Sequence, residues 1–131
     1  MRVRDAMSTV VLTIGPEHSL REAARQMAAR KVGAVAVLDP EGQGIGILTE
    51  RDILYAIGAG QDPDTERAGE HLTNELVFAS PDWTLEAAAE AMVRGGFRHL
   101  IVLDGGEVTG IVSVRDIVRV WARARTTATA S

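Results

Sequence analysis

Apolar positions along the chain alternate between the rhythm of strands and the rhythm of helices, and the alternation runs twice. Val10 to Ile14 is a β-rich run closed by Gly15-Pro16. Ser19-Leu20-Arg21-Glu22 has the Ser-x-x-Glu spacing that opens helices, and Leu20, Ala23, Ala24 and Met27 follow at i, i+3, i+4 and i+7. Gly33 breaks that helix. Ala34 to Leu38 is short and wholly apolar, which predicts a strand buried on both faces. Asp39-Pro40-Glu41-Gly42 has turn chemistry, and Ile45 to Leu48 completes a hairpin. Thr49 then caps a second helix that carries Ile53, Leu54 and Ile57 inward and ends at Gly58.

The second half repeats the pattern. A strand covers Val77 to Ala79, and a helix follows with Leu85, Ala88, Ala89 and Met92. A hairpin over Leu100 to Val112 turns at Asp104-Gly105-Gly106, and a last helix starts at Ser113 and carries Ile117, Val118 and Trp121. At an offset of 65, Pro16 meets Pro81, Leu20 meets Leu85, Met27 meets Met92, and Val37-Leu38-Asp39 meets Val102-Leu103-Asp104. One residue is lost from a turn. Gly46 to Ile53 then meets Gly110 to Ile117 at an offset of 64. The expected architecture is α+β, two β-α-β-β-α repeats with pseudo-twofold symmetry. The expected boundaries are 1–64 and 68–125, with a polar surface linker at about 58–69 and a frayed tail at 126–131.

Length supports a closed pair of repeats. A chain of 131 residues makes one compact domain, and half of it, about 60 residues, is marginal as an independent core. A hydrophobic fraction of 46% with 24% charged residues excludes disorder over most of the chain. The net charge of −4, without a basic run, argues against nucleic acid as a partner. The absence of cysteine excludes disulfides, thiolate nucleophiles and zinc–thiolate sites within the chain. No apolar run reaches 18 residues and the N-terminus lacks a signal-peptide core, so no membrane partner and a cytoplasmic location are expected. His18, His71 and His99 lack metal-ligand spacing. Arg115, Arg119, Arg123 and Arg125 of the last helix read as a solvated or salt-bridged face. Nucleophile-elbow, Walker and His-Glu-x-x-His motifs are all missing, so no catalytic residues and no enzyme are expected.

One constellation occurs in both copies: Gly-h-h-(Ser/Thr)-x-Arg-Asp at a strand-to-helix junction, Gly46 to Asp52 and Gly110 to Asp116. A hydroxyl at the strand end and a carboxylate one turn later suit a sugar, because a carboxylate accepts two hydrogen bonds from vicinal hydroxyls. The same Thr49-x-x-Asp52 and Ser113-x-x-Asp116 spacings are also those of helix caps. Both readings stay open on the residues alone.

With Arg98-His99-Leu100-Ile101-Val102-Leu103-Asp104 before the second turn, these motifs resemble a tandem pair of cystathionine β-synthase (CBS) domains, a Bateman module, from about Val3 to Ala124. The resemblance implies repeats packed through their sheets and two clefts for adenosine-containing ligands: AMP, ADP, ATP, NAD or S-adenosylmethionine. No other cofactor is implied. Thr49 with Asp52, and Ser113 with Asp116, would each hold a ribose. Arg98 and His99 would approach phosphates beside Asp116, and Leu12 and Val77 would flank adenine. Gly33-Ala34 stands where the second repeat has Arg98-His99, so the second site is expected to be the stronger for phosphate. A regulatory module signalling to another chain follows from this resemblance, the alternative being a ligand-free scaffold with vestigial clefts. The apolar stripe on each second helix exceeds what a small sheet covers, and predicts a symmetric homodimer.

Overall fold

A computed structural model of the chain describes residues 1–39, 41, 45–73 and 78–130, with side chains to 124. The element order is α1 (Val3–Ala6), β1 (Thr13–Ile14), α2 (Leu20–Arg30), β2 (Ala34–Leu38), β3 (Ile45–Thr49), α3 (Glu50–Gly58), a 3-10 turn (Ala68–Glu70), β4 (Phe78–Ala79), α4 (Leu85–Gly95), β5 (His99–Asp104), β6 (Glu107–Ser113) and α5 (Val114–Ala130). The architecture is α+β, with two three-stranded sheets of order β1-β2-β3 and β4-β5-β6. Two compact units result: Val11–Glu75, and Met1–Val10 together with Leu76–Ser131.

In the Val11–Glu75 unit, β1 runs parallel to β2, with Thr13 beside Ala36, and α2 supplies the crossover that a parallel pair requires. β2 and β3 are antiparallel from Ala34↔Thr49 to Leu38↔Ile45. Only Thr13 and Ile14 of the expected Val10–Ile14 run form strand. Ser19 Oγ accepts from the Glu22 amide at 3.1 Å, but the reciprocal half of the box is not made. Glu22 Oε1 accepts from Gln26 Nε2 instead. The helix stops at Arg30, with Lys31 left-handed at φ 56°, two residues ahead of Gly33. Leu20, Ala23, Met27, Val35, Val37, Leu48, Ile53 and Ala56 form the core. Leu54 and Ile57 were expected inward; they are 64% and 53% exposed. Ile53 and Ala56, three apart on one face, are the residues that α3 buries. A nine-residue helix offers the sheet only that narrow stripe. Pro40 and Gly42 of the turn expected at Asp39 to Gly42 lie outside the described residues.

The second repeat builds the same elements. β4 is parallel to β5, and β5 and β6 form a hairpin from His99↔Ser113 to Asp104↔Glu107. Gly105 and Gly106 take φ of 60° and 85°, so both central positions are left-handed as a type I′ turn demands. Register shifts between Val102↔Gly110 and Leu103↔Val108, leaving Thr109 as the extra residue of a bulge. Leu85, Ala88, Met92, Leu100, Val102 and Val112 make this core, against which Ile117 and Val120 of α5 pack. Val118 and Trp121, expected inward, are 54% and 58% exposed. α5 runs to Ala130, into the stretch expected to be frayed, with alanine, the strongest helix former, at 128 and 130.

Each core is completed by a segment that precedes the other repeat in sequence. Val3 and Ala6 of α1 are buried in the core of the second repeat. Ala68, fully buried, and Leu72 complete the first, so the end of the expected surface linker is core. The two dockings correspond bond for bond. Val3 N donates to Trp83 O and Arg4 N to Pro81 O; Ala68 N donates to His18 O and Gly69 N to Pro16 O. Ser8 exchanges two backbone hydrogen bonds with Ile111 (2.9 and 3.0 Å), and Thr73 exchanges two with Ile47 (both 2.9 Å). The glycine that opens each motif has its reason here. A Cβ on Gly110 would stand 2.8 Å from Ser8 O and 2.9 Å from Met7 Sδ, and one on Gly46 would stand 2.6 Å from Leu72 Cδ1. Only a residue without a side chain lets the docked segment lie this close.

Candidate functional site

The two motifs sit where β3 passes into α3 and where β6 passes into α5. Thr49 keeps extended φ/ψ and caps α3, its Oγ1 accepting from the Asp52 amide at 3.3 Å. Asp52 Oδ2 accepts in return from the Thr49 amide at 2.8 Å and from Thr49 Oγ1 at 3.0 Å. Ser113 Oγ accepts from the Asp116 amide at 3.0 Å, and Asp116 Oδ2 from the Ser113 amide at 2.9 Å. Both aspartates are therefore held as acceptors at a helix N-terminus, where the dipole favours negative charge. The capping reading and the binding reading share one geometry, because a box uses Oδ2 and leaves Oδ1 to be spent elsewhere.

How Oδ1 is spent differs between the copies. Asp116 Oδ1 accepts from Arg119 Nη2 at 2.9 Å, in an ion pair whose side chains are 17% and 45% exposed respectively. Asp52 Oδ1 has no hydrogen-bond partner among the described residues. Tyr55, 67% exposed, stands where the second repeat has Arg119.

The neighbouring strand adds a second difference. His99 is directly opposite Ser113, and Arg98 O accepts from the Val114 amide at 2.9 Å. Arg98, His99, Ser113 and Asp116 are thus gathered at one end of one sheet. In the first repeat Ala34 faces Thr49, and Gly33 O accepts from the Glu50 amide at 2.9 Å. The Glu50 carboxylate lies over Gly33, its Oε1 3.2 Å from where a Cβ would stand. Leu12 lies on the β1 side of β2, whereas Thr49 pairs with β2 from the β3 side. The carbonyl of Leu12 accepts from Ala36, on the side of β2 away from β3, and the side chain packs at the edge of the core. Val77 lies outside the described residues. Sequence reasoning passed over Glu50 and Tyr55; Arg119, expected on a solvated or salt-bridged face, pairs with Asp116. Counting three residues on from each motif aspartate finds Tyr55 and Arg119.

Among the described residues no three His, Asp or Glu side chains form a group able to hold a metal ion. His71 Nε2 lies 2.9 Å from Glu66 Oε1, which also accepts from Gln61, and His18 Nδ1 serves the Gly15 turn. No helix among the described residues is long and apolar enough to cross a membrane.

The family model described as "CBS domain" matches residues 3–59 and 68–123. The CBS domain-containing protein YhcV of Bacillus subtilis is 36% identical over 118 residues, covering 88% of this chain and 81% of that protein. The hexameric CBS-CP12 protein from bloom-forming cyanobacteria superposes with a TM-score of 0.85 at 30% identity, covering 90% of this chain and 69% of that one. The CBS domain pair of protein MJ0100, solved in complex with 5′-methylthioadenosine and S-adenosylmethionine, gives a TM-score of 0.85 at 25% identity, covering 95% and 98%. Two matched domains, their repeated strand-to-helix motifs and these relatives lead to one assignment: the chain belongs to the CBS-domain family and consists of a tandem CBS pair.

Proposed function

We propose that this CBS pair is a regulatory module that binds adenosine-containing ligands at its two motifs and passes their presence to another protein chain. The observation that carries the reading is the pair of N-terminal boxes, each fixing a carboxylate on the strand end with one oxygen turned away from the cap. Thr49 with Asp52, and Ser113 with Asp116, are the proposed ribose holders. Arg98 and His99, on the strand end beside Ser113, are the proposed phosphate contacts of the second motif. The ligand class is that of the MJ0100 pair, which holds two adenosine derivatives. AMP, ADP, ATP, NAD and S-adenosylmethionine are the compounds to compare. A calorimetric and thermal-shift screen tests this: ligand at about 100 times its dissociation constant adds roughly 2.7 kcal/mol of stability. Melting unmoved by every compound at millimolar concentration would leave the second reading, a scaffold whose boxes serve only as caps. That reading is favoured by both boxes being closed by the chain's own backbone and side-chain groups.

Leu54 and Ile57 on α3 and Val118 and Trp121 on α5 are exposed apolar residues on the two second helices of the repeats. We assign them to a symmetric contact with a second copy of the chain. The effector that receives the signal is a further chain.

A further inference from the structure

The two motifs carry opposite charge around the same capping geometry. In the first, Asp52 Oδ1 accepts no hydrogen bond among the described residues, Tyr55 stands one turn on, and Glu50 sets a second carboxylate over Gly33. In the second, Arg119 stands at the position of Tyr55 and holds Asp116 Oδ1, Val114 replaces Glu50, and Arg98 replaces Gly33. The ion pair is lopsided in exposure: Arg119 is 45% exposed and Asp116 17%. The guanidinium is the solvent-side partner, with donors to spare beyond the one engaged.

We propose that Arg119 is a charge-selecting residue, restricting the Ser113–Asp116 motif to phosphorylated adenosine ligands, while the Thr49–Asp52 motif takes uncharged or cationic ones. This rests on the adenosine reading given above. A diol approaching Asp116 shares Oδ1 with the guanidinium, and a neutral nucleoside returns to Arg119 only uncharged acceptors for the disturbance. A phosphate does: it accepts from the donors of Arg119, and a neutralised Asp116 repels it less. At the first motif a diol finds a carboxylate oxygen unengaged among the described residues, but a phosphate there meets Asp52 and Glu50, neither of which has an ion-pair partner among the described residues. Arg51 and Arg115, exposed at corresponding positions, do not distinguish the motifs.

The test is calorimetric titration of the full chain with adenosine and with AMP. Asp52→Asn, which keeps an acceptor for the Thr49 amide, isolates the second motif. In that background Arg119→Gln is expected to weaken AMP and strengthen adenosine, lowering the AMP-to-adenosine preference by about tenfold or more. Arg119→Lys, keeping the charge, should restore most of that preference. Conversely, with Asp116→Asn isolating the first motif, Tyr55→Arg should raise the preference for AMP there. A merely structural part for Arg119 would change melting temperature without moving this ratio. A ratio unchanged in both the Arg119→Gln and Tyr55→Arg proteins, with the parent chain binding both compounds, overturns the proposal alone. Failure of the parent chain to bind either compound overturns it together with the adenosine reading.

Discussion

Lys31 holds a backbone conformation that its side chain disfavours, and the repeat shows what would relieve it. At φ 56° it ends α2, and its counterpart at the end of α4 is Gly96 at φ 71°. Left-handed backbone costs a Cβ-bearing residue about 1–2 kcal/mol, partly offset by the flexibility glycine adds to the unfolded chain. Lys31→Gly is therefore expected to raise stability by roughly 0.5–1 kcal/mol in urea denaturation. Gly96→Ala should lower it by about 1 kcal/mol, for conformational reasons alone, because among the described residues beyond its chain neighbours no atom lies within 4 Å of a Cβ there. Aligning the repeats places these positions opposite each other, but the sequence sets the helix break at Gly33 because glycine is the stronger signal. A second residue-scale effect concerns acid. The hydrogen bond from Arg21, reinforced by its charge, holds the Asp64 carboxyl below the ordinary aspartate range. A depressed folded-state value means stability that is complete above the unfolded value and is lost as pH falls through the folded one. Arg21→Ala should remove that contribution, so melting curves of parent and variant differ at neutral pH and converge as pH falls below the ordinary aspartate range.

Among the elements, those with local signals were legible and those whose partners lie far along the chain were not. α2 and α4 could be read because Leu20, Ala23 and Met27, and their counterparts Leu85, Ala88 and Met92, recur at helical spacing within one window. The two boxes could be read because capping is a matter of three residues. α1 could not: four residues carry no period, and its partners, Trp83 and Pro81, stand about eighty positions away. Leu54 and Ile57 were misplaced because an apolar residue on a helix need not face the sheet nearest to it. The docked segments give a test at this scale. Gly110→Ala drives a Cβ against the Ser8 backbone and should cost about 1–3 kcal/mol; Gly46→Ala meets the tip of Leu72, which can turn aside, and should cost less. Chemical denaturation of both variants checks the order. Equal losses would mean that Ser8 yields as readily as Leu72.

Across the whole molecule, the exposed Leu54, Ile57, Val118 and Trp121 are the residues proposed to meet a second copy of the chain. Light scattering at tens of micromolar should give twice the 14.0 kDa of one chain, and Ile57→Asp combined with Trp121→Asp should return it to a single copy. A parent chain that scatters as one copy would rule the dimer out. The exchanged segments bear on a different matter, the order in which the chain can finish folding as a ribosome releases it. The Val11–Glu75 unit is continuous, so every residue it needs has emerged once Glu75 has. The other unit is split around it: Met1–Val10, with Val3 destined for a buried site, must wait for strands and helices made after Leu76. Residues made before the first unit are therefore covered after it. A chain halted near residue 75 would present one finished unit and one uncovered segment carrying Val3 and Ala6, whereas a fragment that begins after Val10 would lack that segment for good.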